Sequence, residues 1–522
     1  MKKSHQNEIW VGTEELNQDP EFLRLSQQEF EDKNVAETLA DASESSLKAN
    51  RRDFLKFLGF GLGAATVAAS CDIPVKKAMP YVIKPDEIVP GVATYYASSF
   101  VQGGDYCSVL VKTREGRPIK IEGNTLSGVT NGGTSARAQA SVLSLYDNNR
   151  IQNPGTIENG KVTKMSWEDL DKEVMAKLNA GGAVRILANT VMSPSTKKVF
   201  ADFQAKYPGA EVVMYDAVSS SAMLEANQES FGQAVIPDYH FDKAEVIVSV
   251  GADFLGTWIS PVEYSGQYIK NRKVEGKGAK MSRHIQVEST MSLTGSNADN
   301  RILIKPSEQG AAIAALYNAV AAKTGGSSVS APKLNEKAAG SIRKAADELV
   351  AARGKSLVVS GSNNVGEQVL VNAINNLLGN YGATIQMAHT SNQRQGMDKD
   401  VQKLVADMTA GSVGVLFVMD GANPVFDLPN GAAVAEAMSK VPTRVYMGSS
   451  MNETGAACTH AAPPHHLLES WGDVEPKKGH YSLVQPTIAP LFNTRQAESS
   501  FLTWAGGNAD YFEYVKANWQ AN

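Results

Sequence analysis

Hydrophobic and polar positions along the chain follow two different rhythms. Residues 108–113, SVLVKT, alternate apolar and polar, EGR at 115–117 interrupts, and PIKIE at 118–122 resumes the alternation. This is the pattern of a β-hairpin in a small β unit. The Gly-rich stretch NGGTS (131–135) then leads into a helix predicted over 136–146. From about residue 165 the rhythm changes. Short apolar runs predict strands at 184–188, 211–215, 245–250, 284–287, 301–304, 356–359, 414–419 and 443–447. Helical periodicity falls between many of them, over 193–207 (with a Ser/Pro start), 311–323 and 367–378. Repeated βα units of this kind predict parallel, Rossmann-like sheets in layered α/β domains. The clearest low-complexity joint is GGSSVSAPK (325–333), and no short-period repeat is visible.

The first seventy residues obey neither rhythm. Residues 1–50 are polar, with 11 acidic and 5 basic side chains, a composition that predicts no order without a partner. RRDFLKFLGFGLGAATVAASC follows at 51–71. Arg51 and Arg52 precede an apolar stretch of 17 residues (54–70) that contains Lys56. A spanning helix wants roughly 20 apolar residues, so the pattern predicts a twin-arginine export signal instead of a membrane span. Ala68-Ala69-Ser70-Cys71 resembles a lipobox, with Ala68 where leucine is usual, and makes Cys71 the candidate for acylation. An ordinary cleavage site or an amphipathic helix is the alternative. Prolines at 74, 80, 85 and 90 predict an extended arm after it.

Length and charge narrow the classes further. At 522 residues the chain predicts roughly three units at about 150 residues each. The expected boundaries are an acidic leader 1–50, the export signal 51–71, an arm with the small β unit 72–155, an α/β domain from 156–216 plus 350–500, an inserted α/β domain 217–349, and a C-terminal helical segment 501–522. The net charge of −5 arises mostly in the first 70 residues, so the body has no basic excess to favour nucleic acid.

Candidate chemistry is sparse. The three cysteines, Cys71, Cys107 and Cys458, cannot ligate a cubane iron–sulfur cluster, which needs four thiolates. With Cys71 acylated, one disulfide is the most that remains. Cys458, His460, His465 and His466 have a spacing that in principle suits zinc or copper, against the plainer reading of a docking loop. Gly251-Ala252-Asp253 follows the apolar run EVIVSV as a ribose- or phosphate-contacting turn would, but without a GxGxxG pattern. Ser219, Ser220 and Ser221 are a polar triplet after a strand. Tyr511, Phe512, Tyr514 and Trp519 form an aromatic tail that needs a surface to pack on.

Longer stretches carry a resemblance. MPYVIKPDEIVPG (79–91), EGRPIKIEGN (115–124), ASVLSLYDNNR (140–150), SRHIQVESTMSLTGSNADNRILIKPSEQGAAIAAL (282–316), GANPVFDLP (421–429) and HHLLESWGDVEPKKGHYSLVQPTIAPLFNTRQ (465–496) occur in order along the chain. Together they resemble the molybdopterin-oxidoreductase-like large periplasmic subunit of alternative complex III, a quinol-oxidising respiratory complex. The resemblance implies a multi-domain α/β fold of the DMSO reductase/formate dehydrogenase type. In catalytic relatives four cysteines of the first β unit hold a [4Fe–4S] cluster. The matching positions here are Phe100, Gly103, Cys107 and Ser135, so Cys107 is expected to be packed and inert. The molybdenum-ligand position falls near Ser219–Ser221, and Glu288-Ser289-Thr290 stands where nucleotide-binding relatives carry Asp-Pro-Arg.

The implied function is an exported structural subunit with no cofactor, catalytic residue or metal site of its own. Its partners would be a ferredoxin-like iron–sulfur domain or subunit, a polytopic quinol-binding membrane subunit and a multihaem cytochrome c. Its place would be the periplasmic side of the bacterial inner membrane. Longer relatives continue into a further pterin-fold domain and the ferredoxin-like domain. The alternative is an active enzyme with molybdopterin guanine dinucleotide but no proximal cluster. A third reading is a lipoprotein binding module outside electron transfer.

Overall fold

Strands β1 (Thr94–Gln102), β2 (Asp105–Arg114) and β3 (Arg117–Gly123) form a three-stranded antiparallel sheet in that order. The hairpin read from alternation is β2–β3. Its partner β1 escaped because TYYASSFVQ mixes hydroxyl and apolar side chains on both faces. The structure is a computed structural model that describes residues 20, 89, 91–276 and 280–521. Everything below concerns the unit Pro85–Asn522. Arg51, Arg52 and Cys71 lie outside the described residues.

Two parallel sheets follow. The strands of the first half are β4 (Gly155–Glu158), β5 (Lys161–Lys164), β6 (Ala183–Ala188), β7 (Ala210–Met214), β8 (Ile236–Tyr239) and β9 (Val246–Val250). Those of the second half are β10 (Arg283–Glu288), β11 (Asn300–Leu303), β12 (Ser356–Ser360), β13 (Ile385–Ser391), β14 (Val413–Met419), β15 (Thr443–Met447), β16 (His460–Ala461), β17 (Gly472–Lys477) and β18 (His480–Val484). A seven-stranded sheet runs β5-β4-β16-β15-β14-β6-β7, parallel from β16 to β7, with the β4–β5 hairpin closing one end antiparallel. One of its faces buries Leu170, Val199, Phe203, Phe417, Phe501 and Trp504. The other buries Leu404, Met408, Leu416 and Met438. Ser166 and Ser193 cap the helices Trp167–Asn179 and Pro194–Lys206 by accepting from the N–H groups of Asp169 and Thr196.

The second sheet, β11-β10-β9-β12, is parallel throughout. Its β12 corrects the boundary expected at residue 349. Ser356–Ser360 hydrogen-bonds to Val246–Val250, and the helix Val365–Leu377 packs on the same sheet, so both belong here and not with the seven-stranded sheet. The stretch 325–333 joins helices Gln309–Thr324 and Glu336–Ala351 within this layer. Asn318 clamps it, accepting from the Val329 N–H and donating to the Val329 carbonyl, each at 2.8 Å.

A fourth sheet, β18-β17-β13-β8, is antiparallel. Its strands carry buried charge: the Lys477 ammonium donates to Asp238 at 2.8 Å and to Glu263, all nearly buried. The aromatic tail packs on its own chain. Tyr511 is buried, Trp519 donates to Asp473 at 2.8 Å, Tyr514 donates to Asp202 at 2.5 Å, and Phe512 lies 4.5 Å from Trp471. Among the described residues no helix is long and apolar enough to cross a membrane.

Candidate functional site

Three of the four cluster positions meet at one cleft. The β1–β2 turn is made by Gly103 (φ +56°) and Gly104 (φ +78°), a left-handed pair that glycine adopts without strain. Across the ladder Phe100 stands opposite Cys107. Ser135 caps the helix Ala136–Leu145, accepting from the Ala138 N–H, and its Oγ lies 4.0 Å from Cys107 Sγ. Gly103, Cys107 and Ser135 line the cleft, whereas Phe100 turns into the core with Val109, Val111, Ile121 and Leu145. Phe100 and Cys107 are each 1% exposed, and burial pushes the Cys107 thiol up. A cubane cluster does not fit this donor set of one protonated thiol, one hydroxyl, a glycine and a phenyl ring.

The cleft measures ≈ 480 Å³ and opens at the C-terminal ends of the parallel strands β6, β7 and β14, where α/β sheets hold ligands. The segment 391–396 crosses this edge. Buried Asp216, just after β7, accepts from Thr190 Oγ1 at 2.7 Å and from the Gly396 N–H at 2.9 Å. Gln395 donates its N–H to Thr190 Oγ1 at 2.7 Å. Gly396 is required by close approach, since a Cβ there would lie 2.6 Å from the Tyr215 backbone. Next to these anchors, Arg394 takes a left-handed conformation at φ +55°. Its guanidinium donates to the Gly103 carbonyl at 2.5 Å and to Asp105, which Arg137 also holds. Across the edge, the Tyr215 hydroxyl donates to Asp427 at 2.7 Å, and burial pushes that phenol up. No sequence pattern singled out Gln393, Arg394 or Asp216. They stand in polar loops of ordinary composition.

A second cavity of ≈ 270 Å³ lies on the same edge. It is lined by Asp420, His465, Asp473 and Glu498, and by no lysine or arginine. Burial pushes Glu498 up despite the hydrogen bond from Thr196 at 2.9 Å. A pyrophosphate does not suit such a wall.

The candidates on the second sheet are committed to their own turns. Asp253 accepts from the Thr294 N–H at 2.9 Å, and its carbonyl accepts from the N–H groups of Gly256, Thr257 and Trp258. Glu288 accepts from Arg301 at 2.6 Å, Ser292 Oγ at 2.7 Å and Gln286 at 3.2 Å. Burial would raise its carboxyl, but these bonds outweigh it and hold it below the usual range. Among the serines, Ser219 Oγ accepts from the Ser221 N–H, and buried Ser221 accepts from the Asp398 N–H.

The Cys/His candidates are dispersed. Cys458 donates to the Thr454 carbonyl, and burial pushes its thiol up to about 12. His460 pairs with Glu173 at 3.1 Å, His465 with Thr494 at 2.6 Å and His466 with Ser144 at 2.9 Å. Burial brings His466 down to about 4. Among the described residues no three His, Cys, Asp or Glu side chains are placed to hold a metal ion. Cys107 and Cys458 are both free thiols.

The fold defines a class: the chain has an α/β fold of the molybdopterin-oxidoreductase type. Its structure matches acetylene hydratase from Pelobacter acetylenicus with a TM-score of 0.60 over 79% of this chain and 69% of that one, at 11% identity. In sequence it is 26% identical over 463 residues to the "Menaquinone reductase, molybdopterin-binding-like subunit" of Nitratidesulfovibrio vulgaris strain Hildenborough. That match takes in 78% of this chain and 65% of the relative, so the chain spans just under two thirds of that protein. No family model matches the chain.

Proposed function

We propose that this chain is a structural, cofactor-less subunit of a respiratory complex that exchanges electrons with membrane quinone. The carrying observation is the packed cluster corner, where Phe100 sits in the core beside a single buried thiol. The acidic cavity and the self-bonded turns on the second sheet support the same reading, since neither offers a cation to a dinucleotide. The relative's name supplies the quinone chemistry. That name speaks of quinone reduction, whereas the resemblance to alternative complex III points to quinol oxidation. The two share a membrane quinone pool, and the direction belongs to the assembly. In this reading electrons travel through clusters and c-type haems of partner subunits. The chain acts from the periplasmic side after export through Arg51 and Arg52, with Cys71 as the site of lipidation.

Iron and molybdenum analysis of the purified chain tests the core of this. Neither metal is expected in stoichiometric amount, and one iron–sulfur cluster or one molybdenum per chain would refute it. The second reading, an active molybdopterin enzyme, is favoured by the open cleft at the strand ends. It requires a fluorescent pterin derivative after acid oxidation, which the first reading excludes. Mass spectrometry of the native N-terminus tests the anchor, and an unmodified terminus downstream of residue 71 removes it.

A further inference from the structure

Exposed apolar side chains collect at the tip of the β2–β3 hairpin. Leu143 and Tyr146 lie one turn apart at the end of the helix Ala136–Leu145 and are 73% and 45% exposed. The Tyr146 hydroxyl donates to the Pro118 carbonyl at 2.9 Å, which sets the ring beside Ile119, 47% exposed. Burial pushes the Tyr146 phenol up, and the nearby Arg117 guanidinium opposes the shift. On the same sheet exposed Tyr95 stands opposite Lys112, whose ammonium lies 5.5 Å from the ring, and Lys112 stands opposite Lys120. From 112 to 122 the hairpin carries four cations, Lys112, Arg114, Arg117 and Lys120, against Glu115 and Glu122. Lys112 and Lys120 share Glu122 at 4.0 and 3.9 Å. Asp147, next to Tyr146, accepts from the Asn149 N–H at 2.8 Å. The chain also enters here: Arg114 donates to the Gly91 carbonyl at 2.5 Å, and Val89 and Val92 are exposed.

We infer that this hairpin tip docks on an anionic lipid bilayer. Leu143, Tyr146 and Ile119 enter the headgroup region, and Arg114, Arg117 and Lys120 meet lipid phosphates. Apolar side chains bordered by cations are the makeup of an interfacial membrane contact. Tyrosine suits that depth, because its ring and its hydroxyl favour different phases. The excess of cations complements anionic headgroups. The chain's path selects lipid over a protein partner. Gly91 lies 20 residues after Cys71, and a chain of that length reaches at most about 70 Å. Acylation at Cys71 would keep the tip within reach of the bilayer, and a single acyl chain holds only marginally without a second, basic contact. The inference rests on the proposed reading of a membrane-associated chain and adds the surface by which it lies on the bilayer.

The test uses the full chain with Cys71→Ala, so that the surface is measured without the anchor. A bimane label is attached through Leu143→Cys or, as a control beyond β10, Met291→Cys. Both positions are exposed, whereas the native Cys107 and Cys458 are buried. Any contact through the apolar stretch 54–70 is common to these forms and favours neither label. With phosphatidylcholine vesicles containing phosphatidylglycerol, the label at 143 is expected to shift to the blue and the label at 291 to stay unchanged. Phosphatidylcholine alone should shift it less. Arg117→Glu together with Lys120→Glu is expected to weaken binding by about tenfold or more. Both side chains are exposed, so thermal melting of that variant should match wild type. No blue shift at 143 would overturn the inference and leave the patch to a protein partner. Equal shifts at 143 and 291, or unchanged binding after charge reversal, would also overturn it.

Discussion

The C-terminal edges of the parallel strands in the two sheets are built alike in strand direction and differ in chemistry. On the four-stranded sheet every charged group that the strand ends present has been turned back on the chain. Glu288 is closed by Arg301 and Ser292, and Asp253 by the Thr294 N–H. The turns are so close that a Cβ on Gly361 would lie 2.4 Å from the Gly251 carbonyl. On the seven-stranded sheet the edge stays open. Asp216 fastens the crossing segment, and Gln393 and Arg394 of that segment line the cleft beyond it. Sheet edges of this kind are ligand sites by geometry. Whether one remains a site depends on which polar groups the chain leaves unspent.

The cluster corner is the most thoroughly closed place, and substitution there should have the largest effect. Phe100→Ala is expected to cost about 3–5 kcal/mol, the usual range for a buried phenylalanine. Leu143→Ala, at a position 73% exposed, should change little. Chemical denaturation of both variants checks this, and a small loss for Phe100→Ala would mean that the corner is looser than its burial indicates. Next in size is the closed edge. Arg301→Met removes the cation from a nearly buried carboxylate and should cost about 2–3 kcal/mol at neutral pH. That is below the 3–5 of a fully buried pair, because Arg301 is partly exposed and Ser292 remains. The sign with pH follows from the depressed Glu288 carboxyl. Its contribution is complete above the ordinary value of 4.5 and is lost as pH falls through the lower native value. The gap between wild type and Arg301→Met should therefore narrow in acid, which denaturant titrations at pH 7 and pH 3.5 would reveal.

How much of this was legible in sequence depends on which pattern carried it. Parallel strands such as VIVSV at 246–250 announce themselves because both faces are buried and every side chain is apolar or small. The antiparallel sheet was silent for the converse reason. β17 reads GDVEPK, and its Lys477 is buried only because Asp238 and Glu263 come to it from distant segments. β12 reads as a strand, but its sheet is decided by pairing with β9 across more than a hundred residues, which no local pattern encodes. In the site, Phe100, Gly103, Cys107 and Ser135 were found through the resemblance, and the missing thiols were countable. Gln393 and Arg394 left no trace, because lining a cleft is a property of the fold and not of residue type.

The smallest expected effect bears most directly on the open edge. If Gln393 served only to hold the segment 391–396, replacing it would loosen the chain. Its carboxamide makes no bond, whereas the backbone around it is fixed by Asp216, Thr190 and the Pro476 carbonyl, which accepts from Asn392. An apolar side chain of similar volume would break no hydrogen bond within the chain, so it should be close to neutral or slightly favourable. Gln393→Leu is accordingly expected to shift stability by no more than about 0.5 kcal/mol, and toward greater stability. Measured against the losses at Phe100 and Arg301, a gain here would mean that the open edge carries a polar group the fold does not need. A loss of 1 kcal/mol or more would assign Gln393 a structural role and make the two edges alike.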